Sequence, residues 1–248
     1  MAILITRPQP DADATAARLR ARGLQVLLAP VLRFEALALP QEAEEDCDAV
    51  IVTSANALRA IKPQLVDSRL TRRPLFAVGG HTAEAAREAG FTKVFSAEGD
   101  AVRLRDLLLA RVQAKALKKS SVLLYLAGAD LSRDLAGELG ERGFTVVTQT
   151  TYRMVPVAKL PRETCEAFVA NAIEAVLHYS RRGARAFLDA ARAEGVEISA
   201  LAIPHGCISE AVAAVLREAG ATQVMVAAAP DENALFETLR RALRSGLA

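Results

Sequence analysis

The sequence is short of the residues that build metal sites and disulfides. Its three cysteines, Cys47, Cys165 and Cys207, lie far apart and none belongs to a CxxC pair, which argues against both a zinc site and a disulfide framework. His81, His178 and His205 are equally scattered and form no HExxH pair, so a metal-free protein is expected. No apolar stretch approaches the ~20 residues that span a bilayer, and no charged region with a cleavage site precedes the first strand-like run as in a signal peptide. A cytoplasmic protein with no membrane partner follows. Lysine and arginine number 31 against 29 acidic residues, a formal net charge of +2, and no basic run alternates with aromatics. That balance gives nucleic acid no groove to follow, and no nucleic-acid partner is expected. The densest basic cluster, Lys115, Lys118 and Lys119, reads as a solvated linker. Glycine fingerprints are missing too: no GxGxxG follows a strand-like run and no GxxxxGKS or GxxxxGKT occurs, so a nucleotide-dependent enzyme has little support.

What is present is one plan written twice. At 248 residues and 52% hydrophobic content the chain can fill two cores. Val122–Gly128, a helical pattern from Asp130 to Gly143, and Phe144–Val147 repeat the plan of Ile3–Arg7, a helical pattern from Asp11 to Gly23, and Leu24–Leu28. Asp48–Ser54 answers to Glu174–Ser180, and Arg87-Glu-Ala-Gly90 to Arg217-Glu-Ala-Gly220. Two copies imply two similar lobes and a ligand cleft between them.

Short apolar runs alternate with longer segments of helical spacing, the pattern of βαβ units around parallel sheets. Strands are expected at Ile3–Thr6, Gln25–Leu28, Ala49–Thr53, Leu75–Val78, Lys93–Phe95, Val122–Leu126, Thr145–Thr148, Ala175–Tyr179, Ala200–Ile203 and Gln223–Val226. Their hydrophobicity is continuous rather than alternating, so helices cover both faces. Gly23, Gly90, Gly143, Gly195 and Gly220 each close a helical stretch before a strand and suit a left-handed C-cap. Asp11, Ser54, Ser180 and Asp231 stand where helices begin and can accept from their free N–H groups. Residues 30–37 and 150–156 are extended, contain a proline and follow the second strand of their copies, as crossovers between lobes would. The expected architecture is therefore α/β, with two similar lobes, each a parallel sheet flanked by helices, joined by two extended connectors. One lobe is discontinuous, residues 1–31 plus 157–248, and the other runs from 34 to 149.

Ligands of open parallel sheets lie beyond the carboxyl ends of the strands. The turns there are small, hydroxylic and glycine-rich: Thr6-Arg7-Pro8, Thr53-Ser54-Ala-Asn56, Gly79-Gly80-His81-Thr82, Gly128-Ala-Asp130, Tyr179-Ser180-Arg181-Arg182 and His205-Gly-Cys-Ile-Ser209. Such turns present backbone N–H groups to carboxylates or phosphates. Arg7, Arg181 and Arg182 suit carboxylate recognition, or else a solvated surface. His81 is an acid–base candidate or a histidine that only bonds backbone. Tyr125 lies within a strand and reads as core; Tyr179, at a strand end, faces either cleft or core. Tyr152 is distinct because it sits in the second crossover, where a side chain would face the gap between lobes and either touches the ligand or only lines the gap. No Ser-His-Asp or Cys-His order emerges, and no paired carboxylates fall in these turns.

Ile5-Thr-Arg-Pro8, Leu28-Ala-Pro-Val-Leu-Arg-Phe34, Val52-Thr-Ser-Ala-Asn-Ala57, Ala77-Val-Gly-Gly-His-Thr-Ala83, Ser96-Ala-Glu-Gly-Asp100 and Thr151-Tyr152, in this order and spacing, resemble the uroporphyrinogen-III synthase family over almost the whole chain. The resemblance implies a cofactor-free, monomeric lyase that closes hydroxymethylbilane, a carboxylate-rich linear tetrapyrrole, into uroporphyrinogen III. Water is lost and the terminal pyrrole inverts through a spiro intermediate. By position the family's tyrosine before the return connector falls on Tyr152, the expected catalytic residue, its hydroxyl-bearing turn on Thr53 and Ser54, its VGxxTA threonine on Thr82 and its second-lobe serine on Ser180. Asn56, Gly79, Gly80, Arg7 and Tyr179 complete the expected substrate contacts. One departure stands out: the family's glycine-proline-threonine-threonine turn is replaced by Ser209-Glu-Ala-Val212, leaving Ser209, His205 or backbone N–H groups to act there. The alternative is a two-lobed small-molecule binding protein without catalysis.

Overall fold

The computed structural model describes residues 1–245 apart from Asp46, Asp67 and Ser132. The chain opens with β1 (Ala2–Ile5), α1 (Asp11–Arg20), β2 (Gln25–Leu28) and β3 (Leu32–Ala36). There follow α2 (Glu42–Glu45), β4 (Ala49–Val52), α3 (Ala55–Ile61), β5 (Leu75–Ala77), α4 (Gly80–Glu88), β6 (Val94–Ser96) and α5 (Ala101–Gln113). Next come β7 (Val122–Gly128), α6 (Leu135–Gly140), β8 (Thr145–Pro156), α7 (Arg162–Val169) and β9 (Ile173–His178). The last elements are α8 (Arg181–Ala193), α9 (Glu197–Leu201), β10 (His205–Cys207), α10 (Glu210–Glu218), β11 (Val224–Val226) and α11 (Glu232–Ser245). Two compact units result, one of Met1–Phe34 with the residues from Val155 onward, the other of Glu35–Met154.

The first unit carries the sheet β11-β10-β9-β1-β2, parallel throughout. In the second the order is β3-β8-β7-β4-β5-β6, and the strands from β8 to β6 are parallel. In each sheet the two strands that open one sequence copy, β1 and β2 or β7 and β8, lie beside three strands of the other copy, β9–β11 or β4–β6, and β3 is added at the edge of the second sheet. The order reverses between β1 and β9 in one unit and between β7 and β4 in the other. Ligand crevices of α/β sheets open at such reversals.

Burial explains why these runs became strands. All four residues of β4 and the three of β5 are buried, as expected where helices cover both faces. In the first unit Ile3, Ile5, Ala175 and Leu177 pack against Ala12, Ala16 and Leu19 of α1 and Leu235, Phe236 and Leu239 of α11. In the second, Ile51, Phe76, Leu123 and Tyr125 pack against Leu104 and Leu108 of α5 and Leu135 and Leu139 of α6. Gly23, Gly90, Gly143, Gly195 and Gly220 all take positive φ, from 71° to 100°, as their helix-ending positions predict.

Several elements differ from the sequence reading, among them β3, a sheet strand within residues 30–37 that were expected only as an extended connector. Asp11 does not cap α1; it is the first helical residue, Pro10 precedes it, and its carboxylate pairs with Arg7 at 2.9 Å. The strand expected at Ala200–Ile203 is absent, because residues 197–201 form α9, with Ala200 buried and Ile198 86% exposed. The sheet position belongs instead to β10, just past Pro204, whose carbonyl accepts from the Val176 N–H. Finally, β8 runs from Thr145 through Pro156, so the second crossover is itself strand rather than a separate extended link.

Candidate functional site

At the reversal between β4 and β7 a cavity of about 370 Å³ opens over the carboxyl ends of the strands. Thr53, Ser54, Tyr125, Gly128 and Tyr152 line it, together with Asp100, Asp130 and Arg133. Thr53 stands just past β4, where the chain turns into α3. Its Oγ1 lies 2.9 Å from the Tyr125 hydroxyl. Tyr125 is only 2% exposed, its ring built into the core and its phenol brought to the cavity. Burial raises the Tyr125 pKa, the Thr53 bond opposes that rise, and the nearby Tyr152 phenol adds to it. The hydroxyl therefore stays protonated around neutrality. Ser54 caps α3 by accepting from the Asn56 N–H at 3.2 Å, and its own proton remains available to a ligand oxygen. The Asn56 side chain faces Arg59, which donates to it.

On the other flank Asp100 caps α5 by accepting from Val102 and Arg103 N–H at 2.9 and 3.0 Å. Those bonds, led by the one from Arg103, lower its pKa and keep it a carboxylate. Arg133 is held by both carboxylate oxygens of Glu138. The cavity thus gathers two phenols, two small hydroxyls and charges of both signs. It offers hydrogen bonds and orientation rather than a strong base.

The equivalent reversal in the first unit is occupied by the protein's own side chains. Arg7 pairs with Asp11 at 2.9 Å and Glu232 at 3.2 Å and lies over the Tyr179 ring, 4.4 Å from its centroid. Glu232 also accepts from Thr15, Arg18 and, at 3.1 Å, the Tyr179 hydroxyl. Burial first, and Glu232 next, push the Tyr179 pKa up. Both expected contacts, Arg7 and Tyr179, are thereby engaged within the fold. Ser180 is exposed and caps α8 through the Gly183 N–H at 3.0 Å.

His205 is corrected outright. It lies within β10 rather than in a turn, is 0% exposed, and its Nδ1 sits 3.0 Å from Nε2 of the equally buried His178. Burial drives the His205 pKa down to about 4, so the pair is neutral and has no surface for a substrate. Ser209 precedes α10 without a side-chain cap bond. Thr82 is buried in the first turn of α4. Gly79 and Gly80 open that helix, but the Glu98 carboxylate stands 3.6 and 3.8 Å from where a Cβ on Gly80 would sit. An anion of the protein already faces that turn. His81 borders a separate groove of about 180 Å³ between α3 and α4.

Three cavity residues escaped the sequence reading. Tyr125 read as core because its ring is core; only the strand register, which sets it opposite Ile51 and so beside the turn at Thr53, reveals its hydroxyl. Asp100 closes the Ser96-Ala-Glu-Gly-Asp100 stretch but was given no role there, and Arg133 sits in a loop that carries no motif. Among the described residues no cluster of three His, Cys, Asp or Glu side chains could hold a metal, and no helix is long and apolar enough to cross a membrane.

The family model described as uroporphyrinogen-III synthase HemD matches residues 13–237. The chain belongs to the uroporphyrinogen-III synthase family. The synthase reaction, cyclisation of hydroxymethylbilane, is accordingly the activity of this protein. Among solved structures it is similar to uroporphyrinogen-III synthetase from Helicobacter pylori, at 19% identity and a TM-score of 0.62 over 98% of this chain and 99% of that one. It is also similar to a mutant uroporphyrinogen III synthase from Thermus thermophilus, at 20% identity and a TM-score of 0.57 over 99% and 100% of the two chains. At such identities the likeness establishes the synthase fold of two α/β sheets. No protein of curated function matches in sequence.

Proposed function

We propose that Tyr152 is the catalytic residue of ring closure and that the cavity at the β4–β7 reversal receives the reacting end of the substrate. The observation that carries this reading is the meeting of Tyr152 with Thr53, Ser54 and Tyr125 around one cavity. A volume of about 370 Å³ lies at the lower end of the range of small-molecule pockets, which suits a terminal pyrrole rather than four.

The step begins as the pyrrole nitrogen lone pair expels the hydroxymethyl oxygen. Tyr152 supplies the proton or hydrogen bond with which that oxygen leaves as water. The azafulvene carbon so formed is attacked by the substituted α-carbon of the far terminal ring, giving a spiro centre. The bond from that centre to its original bridging carbon then breaks and re-forms at the neighbouring free α-carbon, whose proton is released and restores the tyrosine. Hydroxyl and proton together account for the water lost. Orientation supplies most of the acceleration, and a positioned phenol adds about 10²- to 10⁴-fold.

Thr53 and Ser54 in the cavity, with Asn56 in the same turn, would grip the side-chain carboxylates at that end of the substrate. In this reading the protein works as a cytoplasmic monomer without cofactor or nucleic acid; its balanced charge speaks against a nucleic-acid partner and the missing glycine fingerprints against a nucleotide cofactor. Incubating the purified protein with hydroxymethylbilane and separating the porphyrin isomers tests the whole. The expected product is the type III isomer, with Tyr152→Phe slowed about 10²-fold or more. Tyr152→Phe at wild-type activity would remove the tyrosine from the mechanism, and a product no different from spontaneous closure would leave only a binding protein.

A further inference from the structure

Tyr152 owes its place to an irregularity in the sheet. Along β7 and β8 the register runs Leu126 with Gln149 and Ala127 with Thr150, then skips, so that Gly128 faces Tyr152 instead of Thr151. Thr151 is the extra residue, fully buried, with its Oγ1 donating to the Ala127 carbonyl at 3.2 Å. Bulges of this kind re-aim a side chain. Past the skip, the Ala129 N–H donates to the Tyr152 carbonyl at 2.9 Å, which fixes the tyrosine backbone level with the end of β7.

The ring then descends onto Gly128. A Cβ at that position would stand 2.7 Å from the Tyr152 Cζ and 2.8 Å from its hydroxyl oxygen, closer than any real contact of that kind. Gly128 is not among the positive-φ glycines, so its backbone would accept an ordinary side chain. The requirement for glycine is spatial, and the space is filled by the hydroxyl end of one phenol.

We propose that Gly128 is a positioning residue for ring closure: its bare Cα is the seat that holds the Tyr152 hydroxyl in the cavity. The inference rests on the role given to Tyr152 above. A methyl group at 128 collides with the far end of a side chain that can swing, so Gly128→Ala keeps the fold and displaces the phenol.

The chain has three tyrosines and no tryptophan, which makes fluorine NMR of protein grown with 3-fluorotyrosine a direct readout. The resonance lost in Tyr152→Phe identifies Tyr152. In Gly128→Ala that resonance should move while thermal unfolding stays close to wild type. kcat for type III product should fall about 10²-fold, as an ångström of misplacement can cost, with KM little changed. In the double variant Gly128→Ala/Tyr152→Phe the loss should not exceed that of Tyr152→Phe alone, since the glycine acts only through the phenol. An unmoved resonance, or losses that multiply in the double variant, overturns the inference. Full activity of Tyr152→Phe together with a moved resonance in Gly128→Ala instead overturns the role of the tyrosine in the reaction and leaves the seat standing.

Discussion

Single residues of similar type hold opposite offices in this protein according to what surrounds them. Arg7 looks from its turn like a carboxylate receiver, yet Asp11, Glu232 and the Tyr179 ring already hold it. Its removal should therefore show in folding rather than in substrate binding: Arg7→Ala is expected to lower the unfolding temperature while KM for hydroxymethylbilane stays within about twofold. A large rise in KM with unchanged stability would assign the arginine to the substrate. Tyr125 is the converse, a core residue whose hydroxyl reaches Thr53. Tyr125→Phe removes one hydrogen bond, worth about 1 kcal/mol, and leaves Thr53 to find a new partner in the open cavity. We expect a small loss in denaturant midpoint and a few-fold change in kcat, far short of the effect of Tyr152→Phe. Equal losses from the two tyrosine variants would make Tyr125 a direct participant.

At the scale of elements, helix starts tie stability to the strand-end turns. Ser54 opens α3 and Ser180 opens α8, and each side chain accepts from a free N–H of its own helix. Replacing either by alanine should cost about 1 kcal/mol in chemical unfolding. Ser54→Ala should slow ring closure only mildly, as expected if Thr53 and Asn56 share its grip on the substrate. Much at this scale was legible in the sequence. Continuous apolar runs marked β1, β4 and β5, since burial on both faces leaves no polar positions, and the five closing glycines marked helix ends because glycine takes positive φ without strain. Tyr152 stood out by lying in a crossover. What stayed hidden shares one cause: it depends on partners far along the chain. The skip that seats Tyr152 on Gly128 is a matter of register, Tyr125 meets Thr53 across 72 residues, and the His205 of β10 meets a second buried histidine, His178, 27 residues away.

For the whole molecule that histidine pair sets a limit on acid stability, and the duplication supplies its control. Aligning Asp48–Ser54 with Glu174–Ser180 puts Val52 at the place of His178. Strand pairing then puts Leu75 at the place of His205, since Leu75 pairs with Val50 as His205 pairs with Val176. One unit thus closes this part of its sheet with Val and Leu, the other with two buried imidazoles, His178 and His205. Burial holds both pKa values down, that of His205 to about 4 and that of His178 well below its ordinary value with His205 adding to the effect. The sign follows from proton counts. Unfolded histidine binds a proton below about pH 6.5 whereas the folded pair does not, so acid favours the unfolded chain. Stability is intact above pH 6.5 and declines from there down to about pH 4. His205 alone accounts for a loss of about 3 kcal/mol across that window. Urea unfolding of wild type at pH 7, 5.5 and 4.5 should trace this decline. His178→Val/His205→Leu, which copies the other unit, should lose the histidine share of the slope and leave only what carboxylates contribute. The two slopes would coincide if the imidazoles were protonated inside the folded protein, and a charged pair would then have to be supposed within a strand core that offers it no counter-ion.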